Sequence, residues 1–310
     1  MENNNTIDNQ YNIIRTLGQG GLSTVYLVRR INNNAEYAAR VRLNNQNNPN
    51  ILTPQHELQM TTAASALNNP NIIQLVAHGI GTVINNGIVT NNANYMIVEY
   101  CPKRDLFLYS SLRRFSERHA KYIFKKILLG VRALHEAKIC HRDLKLDNVL
   151  LTQNFNIKIS NFSLAARLQQ NNLLNDFVGT IRYKSPQIVN HIPYHGKKAD
   201  IFSLGVLLFA LVSGIFGFNQ ATNHDPLYNL IINGNFTLYW AQIGNHIGNI
   251  HFSEEFKNLY IKMVDFNENI RPNIDEVLNN NWFNEINNLD EIQLNELKAS
   301  VLNEFLEREN

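Results

Sequence analysis

Apolar and polar positions divide the chain into a strand-rich first part and a helix-rich second part. Short runs of β-branched and aromatic residues, separated by Asn, Gly and Pro, predict four strands, at residues 11–17, 24–30, 36–43 and 94–99. Residues 55–67 have the spacing of a helix, and Thr53 followed by Pro54 is typical of a helix start. The first part is therefore expected to be a small sheet with one helix.

After Pro102 the pattern changes to long helices. Residues 117–137 and 201–214 are predicted helices, and brief strand-like runs occur at residues 149–151 and 157–159. The predicted fold class is therefore α+β. Residues 1–10 are polar and Asn-rich and are expected to form an extension that precedes the domain.

The segment of residues 285–310 predicts one acidic amphipathic helix. Its apolar residues recur at near-helical spacing, at Ile292, Leu294, Leu297, Val301, Leu302 and Phe305. Such a helix either packs on its own domain or binds a partner, in an autoinhibitory or an intermolecular arrangement. The pattern leaves both arrangements open.

Composition narrows the class of protein. With 310 residues, 44% of them hydrophobic, the chain can bury a sizeable core. Its formal net charge of +2 and scattered Lys and Arg predict no nucleic-acid or membrane partner. Cys101 and Cys140 are expected to be reduced core thiols. Because no apolar leader or membrane-spanning run occurs, we expect a cytoplasmic protein, with the nucleus also open.

Two motifs carry the candidate chemistry. Residues 18–25 form a glycine-rich turn between two strands, where Gly18 and Gly20 would let backbone amides approach a phosphate. Taken alone, this turn also fits an ordinary hairpin. Residues 141–151 are far more specific, because they match the H-R-D-L-x-x-x-N catalytic loop at every defined position.

On these residues the chain resembles the eukaryotic protein kinase family, over about residues 11–283. Further segments follow in the family's order, at residues 37–41, 96–100, 179–187 and 200–205. Lys145, two residues after Asp143, is similar to the serine/threonine branch. The resemblance implies a bilobal kinase domain over residues 11–284. Its lobes would be a β-rich N-terminal lobe of about residues 11–101 and a mainly helical C-terminal lobe of about residues 102–284.

The resemblance also implies an ATP site, which makes ATP a candidate ligand. The nucleotide-binding residues would be Gly18, Gly20, Val25, Ala38, Arg40, Val98, Glu99, Cys101 and Leu150. Val25 and Ala38 would cover one side of the adenine and Leu150 the other. Val98 takes the gatekeeper position.

Two of the catalytic groups that the resemblance implies are changed. The strand lysine that pairs the ATP phosphates is Arg40, whose planar fork is not equivalent to a compact ammonium, and no lysine precedes Lys103. The D-F-G motif reads N-F-S at residues 161–163, so the amide of Asn161 replaces a carboxylate that should bind Mg²⁺. With Asn148 as the second metal residue, the metal site is degraded, and magnesium is expected to bind weakly or not at all.

The catalytic loop keeps its other functional residues. The base Asp143, the loop Lys145 and the metal residue Asn148 all remain. They fit residual catalysis, and they fit equally a structural role, because the same loop would brace the helical lobe through His141 and Arg142.

The resemblance also implies two ion pairs, one expected at Glu57 and one changed at Gln187. Glu57 is the expected regulatory partner of Arg40, although counting back from the following landmark favours Met60. Gln187 replaces a glutamate that should pair with a buried Arg271, so the helical lobe is expected to be less stable.

The activation segment has no ordinary site for a switching phosphate. Between residues 164 and 178 there is no Ser, Thr or Tyr, and Asp176 lies where the family's phosphosite often falls. We therefore expect a permanent regulatory pair between Asp176 and Arg142. The alternative is that Asp176 is an exposed loop acid.

These substitutions lead to the hypothesis of a signalling pseudokinase, which acts as a scaffold or allosteric regulator of protein partners. A weakly active, ATP-dependent serine/threonine kinase is the alternative. A third hypothesis is a switch that responds to ATP without chemistry.

Overall fold

The computed structural model describes residues 5–20, 23–42, 53–169, 173–248 and 250–309 and divides the chain into two units. The described residues up to Pro102, together with Asn161–Ser163, form unit one. Lys103–Ser160 and the described residues from Leu164 onward form unit two. Strands dominate unit one and helices dominate unit two, so the predicted mixed α+β class is confirmed.

Within the described residues, unit one is an antiparallel barrel with one helix. Its elements are β1 (Thr6–Ile7), β2 (Tyr11–Gln19), β3 (Thr24–Arg30), β4 (Glu36–Arg42), α1 (Pro54–Ser65), β5 (Leu75–Asn85) and β6 (Ile88–Glu99). The strands follow the order β1-β2-β3-β4-β6-β5, and β1 closes the barrel by pairing with both β2 and β5. Ile7, Tyr11, Val28, Ala39 and Ile97 are buried together in its core.

The barrel differs from the predicted sheet at two places. Residues 6–7, which we assigned to a polar extension, form β1, and Ile7 is fully buried. One apolar residue among polar neighbours is too short a signal for a strand. The long hairpin of β5 and β6 was predicted only at residues 94–99, because its Asn and Gly residues break the strand pattern. Leu43, the predicted last residue of β4, lies outside the described residues.

Unit two is built around helices and short strand pairs. Its elements are α2 (Leu106–Leu112), α3 (Glu117–Glu136), β7 (Ile139–Cys140), β8 (Val149–Leu151), β9 (Ile157–Ile159), β10 (Ala166–Arg167), α4 (Pro186–Val189), α5 (Gly196–Ser213), α6 (Pro226–Ile232), α7 (Phe236–Ile247), α8 (Glu254–Met263), α9 (Ile274–Leu278), α10 (Asn284–Asn287) and α11 (Glu291–Glu309). α5 is buried continuously over residues 199–213, and its Phe209 packs against the aromatic rings of Trp240, Phe256 and Tyr260. α5 is therefore the central helix of this unit.

A buried carboxylate at the start of α5 fixes the loop that follows β7. Asp200 is fully buried, and its two oxygens accept hydrogen bonds from the backbone amides of His141 at 2.9 Å and Arg142 at 2.8 Å. The imidazole Nε2 of His135 lies 2.9 Å from the same carboxylate. Arg142 has a φ of 63°, so this loop adopts a left-handed turn that the hydrogen bonds to Asp200 stabilise.

The last segment forms two helices instead of the single predicted one. α10 ends at Asn287, and α11 starts after Asp290, whose side chain accepts a hydrogen bond from the amide of Gln293 at 2.9 Å. Leu297, Val301 and Phe305 of α11 are buried, and the Phe305 ring contacts Phe155, Tyr109 and Phe115. α11 therefore packs on its own domain, one of the two arrangements that the pattern left open.

Two further expectations concern the thiols and the membrane. Cys101 and Cys140 are both buried and unbridged, and burial raises the pKa of the Cys140 thiol to about 12. Among the described helices, none is long and apolar enough to cross a membrane.

The far end of α11 is held by one arginine. The Arg308 guanidinium is 3% exposed and lies 3.7 Å from the centroid of the Phe115 ring. It donates hydrogen bonds to the carbonyls of Tyr109, Arg113 and Arg114. Three carbonyls at the end of α2 and just beyond it thus share a single cation.

We predict that Arg308→Ala lowers the free energy of unfolding by about 2–3 kcal/mol, because it removes a buried charged donor from several acceptors. Arg118→Ala is the matched control, since that arginine is 53% exposed and contacts one carboxylate, so its loss should cost less than about 1 kcal/mol. Urea denaturation of the three proteins measures both values. Equal losses in the two variants would contradict the prediction.

A second buried arginine lacks the carboxylate that the family resemblance implies. Arg271 is 1% exposed, and its Nη2 donates a hydrogen bond of 2.6 Å to Oε1 of Gln187. The amide Nε2 of Gln187 in turn donates to the Phe266 carbonyl at 2.6 Å. Burial lowers the pKa of Arg271 to about 10, so the neutral amide compensates for only part of the desolvation of this cation.

We predict that Gln187→Leu lowers the free energy of unfolding by about 2–3 kcal/mol, because Arg271 loses its shortest side-chain acceptor. Gln187→Glu should keep the wild-type stability or exceed it, since it retains the acceptor and adds an opposite charge. The urea midpoint is the measurement. A Leu variant with the wild-type midpoint would show that the amide does not stabilise Arg271.

Candidate active site

Arg40 is the centre of the polar cluster in unit one. It lies on β4, paired across the sheet with Val25 on one side and Met96 on the other. Its Nη1 lies 2.8 Å from Oε1 of Glu57 on α1, a carboxylate whose side chain is 4% exposed. The guanidinium, whose side chain is 28% exposed, therefore forms an ion pair with a buried carboxylate of the helix. Of the two candidates, Glu57 and Met60, it is Glu57 that contacts Arg40.

The same guanidinium makes two further contacts. Its Nη1 donates to Oδ1 of Asn161 at 3.1 Å, and its Nε donates to Oγ of Ser23 at 3.2 Å. Oδ1 of Asn161 also accepts a hydrogen bond of 2.8 Å from Oγ of Ser163. The amide oxygen that stands in place of a metal-binding carboxylate is thus an acceptor for an arginine and a serine.

These residues do not fit a magnesium ion. Mg²⁺ favours anionic oxygen ligands at short distances, whereas Asn161 offers a neutral oxygen that already contacts a cation. The carboxylate of Glu57 faces the same cation. Among the described residues no cluster of three or more His, Cys, Asp or Glu could hold a metal. We therefore derive no step through a metal ion.

Asp143 is the centre of the polar cluster in unit two. Its Oδ1 accepts hydrogen bonds from the backbone amide of Thr180 at 3.0 Å and from Oγ1 of the same residue at 2.8 Å. Its Oδ2 accepts from Nδ2 of Asn148 at 2.9 Å. Lys145 donates to Oγ1 of Thr180 at 2.8 Å and lies 3.7 Å from the carboxylate. The three retained loop residues and Thr180 therefore form one hydrogen-bonded cluster.

Gly179 allows this cluster to form. Its φ is 99°, and a Cβ at this position would lie 2.7 Å from the carbonyl oxygen of Arg142. Only glycine combines this backbone conformation with so close an approach. The next residue, Thr180, is thereby brought to Asp143.

Arg142 connects the catalytic loop to the segment that follows residue 164. Its Nε donates to the Leu164 carbonyl at 2.6 Å, and its Nη1 donates to Oδ2 of Asp176 at 2.5 Å. The Arg142 side chain is 3% exposed and that of Asp176 is 53% exposed. Although burial lowers the pKa of Arg142, Tyr194 and Asp176 together raise it above its usual value. Asp176 is thus a carboxylate partner of a buried arginine.

The predicted nucleotide-binding residues are divided between the units. In unit one they lie on or beside the four strands β2, β3, β4 and β6 and in the turn after β2: Gly18, Gly20, Val25, Ala38, Arg40, Val98, Glu99 and Cys101. Ala38 and Val98 are direct partners across β4 and β6, and Gly18 is the partner of Val25 across β2 and β3. Leu150 lies on β8 in unit two. Gly21 and Leu22 of the glycine-rich turn lie outside the described residues.

Two contact residues were absent from the predicted site. Ser23 contacts Arg40, and Thr180 contacts both Asp143 and Lys145. Each belongs to a motif that the sequence reveals, the glycine-rich turn and the G-T pair before the end of the activation segment. Their side-chain roles depend on the folded geometry.

The chain matches known proteins over nearly its whole length. The protein kinase domain family matches residues 11–283. CBL-interacting protein kinase 12 of Oryza sativa subsp. japonica is 30% identical over 282 residues, which are 90% of this chain and 48% of the relative. NUAK family SNF1-like kinase 2 of Homo sapiens is 34% identical over 228 residues, which are 73% of this chain and 34% of the relative. The chain thus spans about half or less of these relatives.

We predict that Asp176→Ala destabilises the segment after residue 164. The change leaves Arg142 buried without this partner and should cost about 1–2 kcal/mol, a value reduced by the exposure of the aspartate. A lower melting temperature and faster proteolysis within residues 164–178 are the expected results. Asn175→Ala, at the exposed neighbouring position, is the control. If the two variants behave alike, Asp176 is only a loop acid.

Proposed function

Because the chain belongs to the protein kinase domain family, we propose that it uses this fold as a pseudokinase that regulates protein partners through contacts. The observation that carries the proposal is the hydrogen bond of 3.1 Å between Arg40 Nη1 and Asn161 Oδ1. Two positions that should neutralise the phosphates of ATP and hold a metal are here occupied by an arginine and an amide that contact each other.

The expected loss of activity follows from the physics of phosphoryl transfer. Kinases catalyse it mainly by positioning and by charge neutralisation, in which the strand lysine and the metal-binding carboxylate are central. Loss of one preorganised group typically costs about 3–4 kcal/mol, or roughly two to three decades in rate. Since Arg40 and Asn161 contact each other, the two losses in rate are coupled and need not add. The loss of either group alone would therefore leave little phosphoryl transfer.

ATP itself remains a candidate ligand under this proposal. The glycine turn keeps Gly18 and Gly20, and the apolar Ala38 and Val98 lie side by side on neighbouring strands. Arg40 keeps a positive charge at the phosphate position that the family resemblance implies. Nucleotide bound without a metal would stabilise the fold by mass action. A higher melting temperature with ATP and EDTA is the expected sign.

A weak serine/threonine kinase is the second candidate, and the cluster around Asp143 favours it. The carboxylate accepts hydrogen bonds from Asn148 and Thr180, and Lys145 lies beside it. This arrangement orients Asp143 so that it could take a proton from an acceptor hydroxyl. The curated relatives are themselves named as kinases. This candidate requires that Asp143 still acts as the base.

Phosphate incorporation from labelled ATP separates the two candidates. We expect the wild-type chain and Asp143→Asn to incorporate equal amounts of phosphate into a generic basic protein substrate, with Mg²⁺ or with Mn²⁺. The triple variant Arg40→Lys, Asn161→Asp, Ser163→Gly should exceed the wild type by about 100-fold or more, since it restores the charged groups. Incorporation by the wild type that Asp143→Asn abolishes would establish the weak kinase and refute the pseudokinase.

A further inference from the structure

One stretch of unit two combines cations with exposed apolar side chains. Residues 177–199 contain Arg and Lys but no Asp or Glu. Three large apolar residues in this stretch are about half exposed: Phe177 at 46%, Ile181 at 44% and Ile192 at 47%. We call these three residues, with Arg182 and His191, the basic face. Exposed apolar groups rimmed by charge are typical of a protein contact.

The basic face is held in shape by its own contacts. The Phe177 ring stacks on His191 with centroids 4.5 Å apart, and Nζ of Lys184 lies 3.5 Å from the Phe177 centroid. Reciprocal backbone hydrogen bonds of 2.9 and 2.8 Å join Leu174, three residues before Phe177, to Tyr194, two residues after Ile192. The Phe177 side chain is thus held in place before binding, which reduces the entropy that is lost when a partner binds.

The first turns of α11 have the opposite charge. Residues 290–296, which we call the acidic turn, are all exposed. They carry Asp290, Glu291 and Glu296 without a cation, and their apolar Ile292 and Leu294 are 72% and 41% exposed. The rest of α11 is fixed by its buried residues. The apolar side chains of the acidic turn are therefore exposed, whereas Leu297, Val301 and Phe305 further along the same helix are buried.

We propose that the acidic turn of one copy binds the basic face of a second copy. Ile292 and Leu294 would cover the apolar residues of the face, and Glu291 would approach Arg182. Charge complementarity supports this occupant, because residues 177–199 carry Lys and Arg without an acid and residues 290–296 carry Asp and Glu without a cation. The contact joins two different surfaces, so it links copies head to tail.

This inference rests on the proposed function in one respect, since it names the partner of a chain that acts through contacts. The proposed function and the proposed self-association can be refuted independently of each other. Phosphate incorporation dependent on Asp143 would refute the pseudokinase without affecting self-association, and a monomer under all conditions would refute only the present inference.

Sedimentation velocity of the full chain tests the contact directly. The wild type should shift from monomer to larger species as its concentration rises from micromolar to sub-millimolar at low salt. High NaCl should reverse the shift, because exposed charges are screened. A wild type that sediments as a monomer throughout this range would overturn the proposal.

Two charge reversals identify the surfaces. Arg182→Glu on the face and Glu291→Arg on the turn should each weaken self-association about tenfold or more. An equal mixture of the two variants should recover a complex of one copy of each, because the first keeps an intact turn and the second an intact face. Lys262→Glu, an exposed reversal on α8, is the control and should associate like the wild type. Unchanged association of either variant, or no complex in the mixture, would also overturn the proposal.

Discussion

The buried carboxylate of Asp200 is the constraint on which the site in unit two depends. It accepts hydrogen bonds from the backbone amides of His141 and Arg142 and so holds the loop in a turn in which Arg142 has a positive φ. That turn directs Arg142 toward Leu164 and Asp176, while the next residue, Asp143, meets Asn148 and Thr180. The buried carboxylate of Asp200 on the central helix thus orients both the Asp143 carboxylate and a segment that is distant in the sequence.

In unit one the corresponding constraint is a balance of charge. Arg40 is a permanent cation, and Glu57 is its nearly buried counterion, so the pair is close to neutral before any ligand arrives. Asn161 adds a hydrogen bond but no charge. The cluster is therefore suited to holding strand, helix and the residues at 161–163 together, and poorly suited to attracting a divalent cation.

Most of the helices and strands that were predicted correctly are recognisable from residues that are adjacent in the sequence. β3 coincides with its prediction, and Thr53 caps α1 through its hydroxyl as the Thr-Pro pair indicates. Signals that depend on a distant partner were not predictable: β1 is a strand only because β2 and β5 lie beside it. The site divides in the same way. Motif residues could be named from the sequence, whereas the choice between Glu57 and Met60 and the contacts of Thr180 required the folded backbone.

The position of Arg308 also bears on the order in which the chain folds. Its guanidinium binds the carbonyls of residues 109 and 113, which are 199 and 195 residues away in the sequence. Most of the sequence of unit two lies between the two ends of these contacts. Long-range contacts are costly to close early, so they form late. During synthesis, the carbonyls at the end of α2 can form these hydrogen bonds only after residue 308 has been made. Until then the rings of Tyr109 and Phe115 lack the α11 residues Phe305 and Arg308 that contact them in the folded chain.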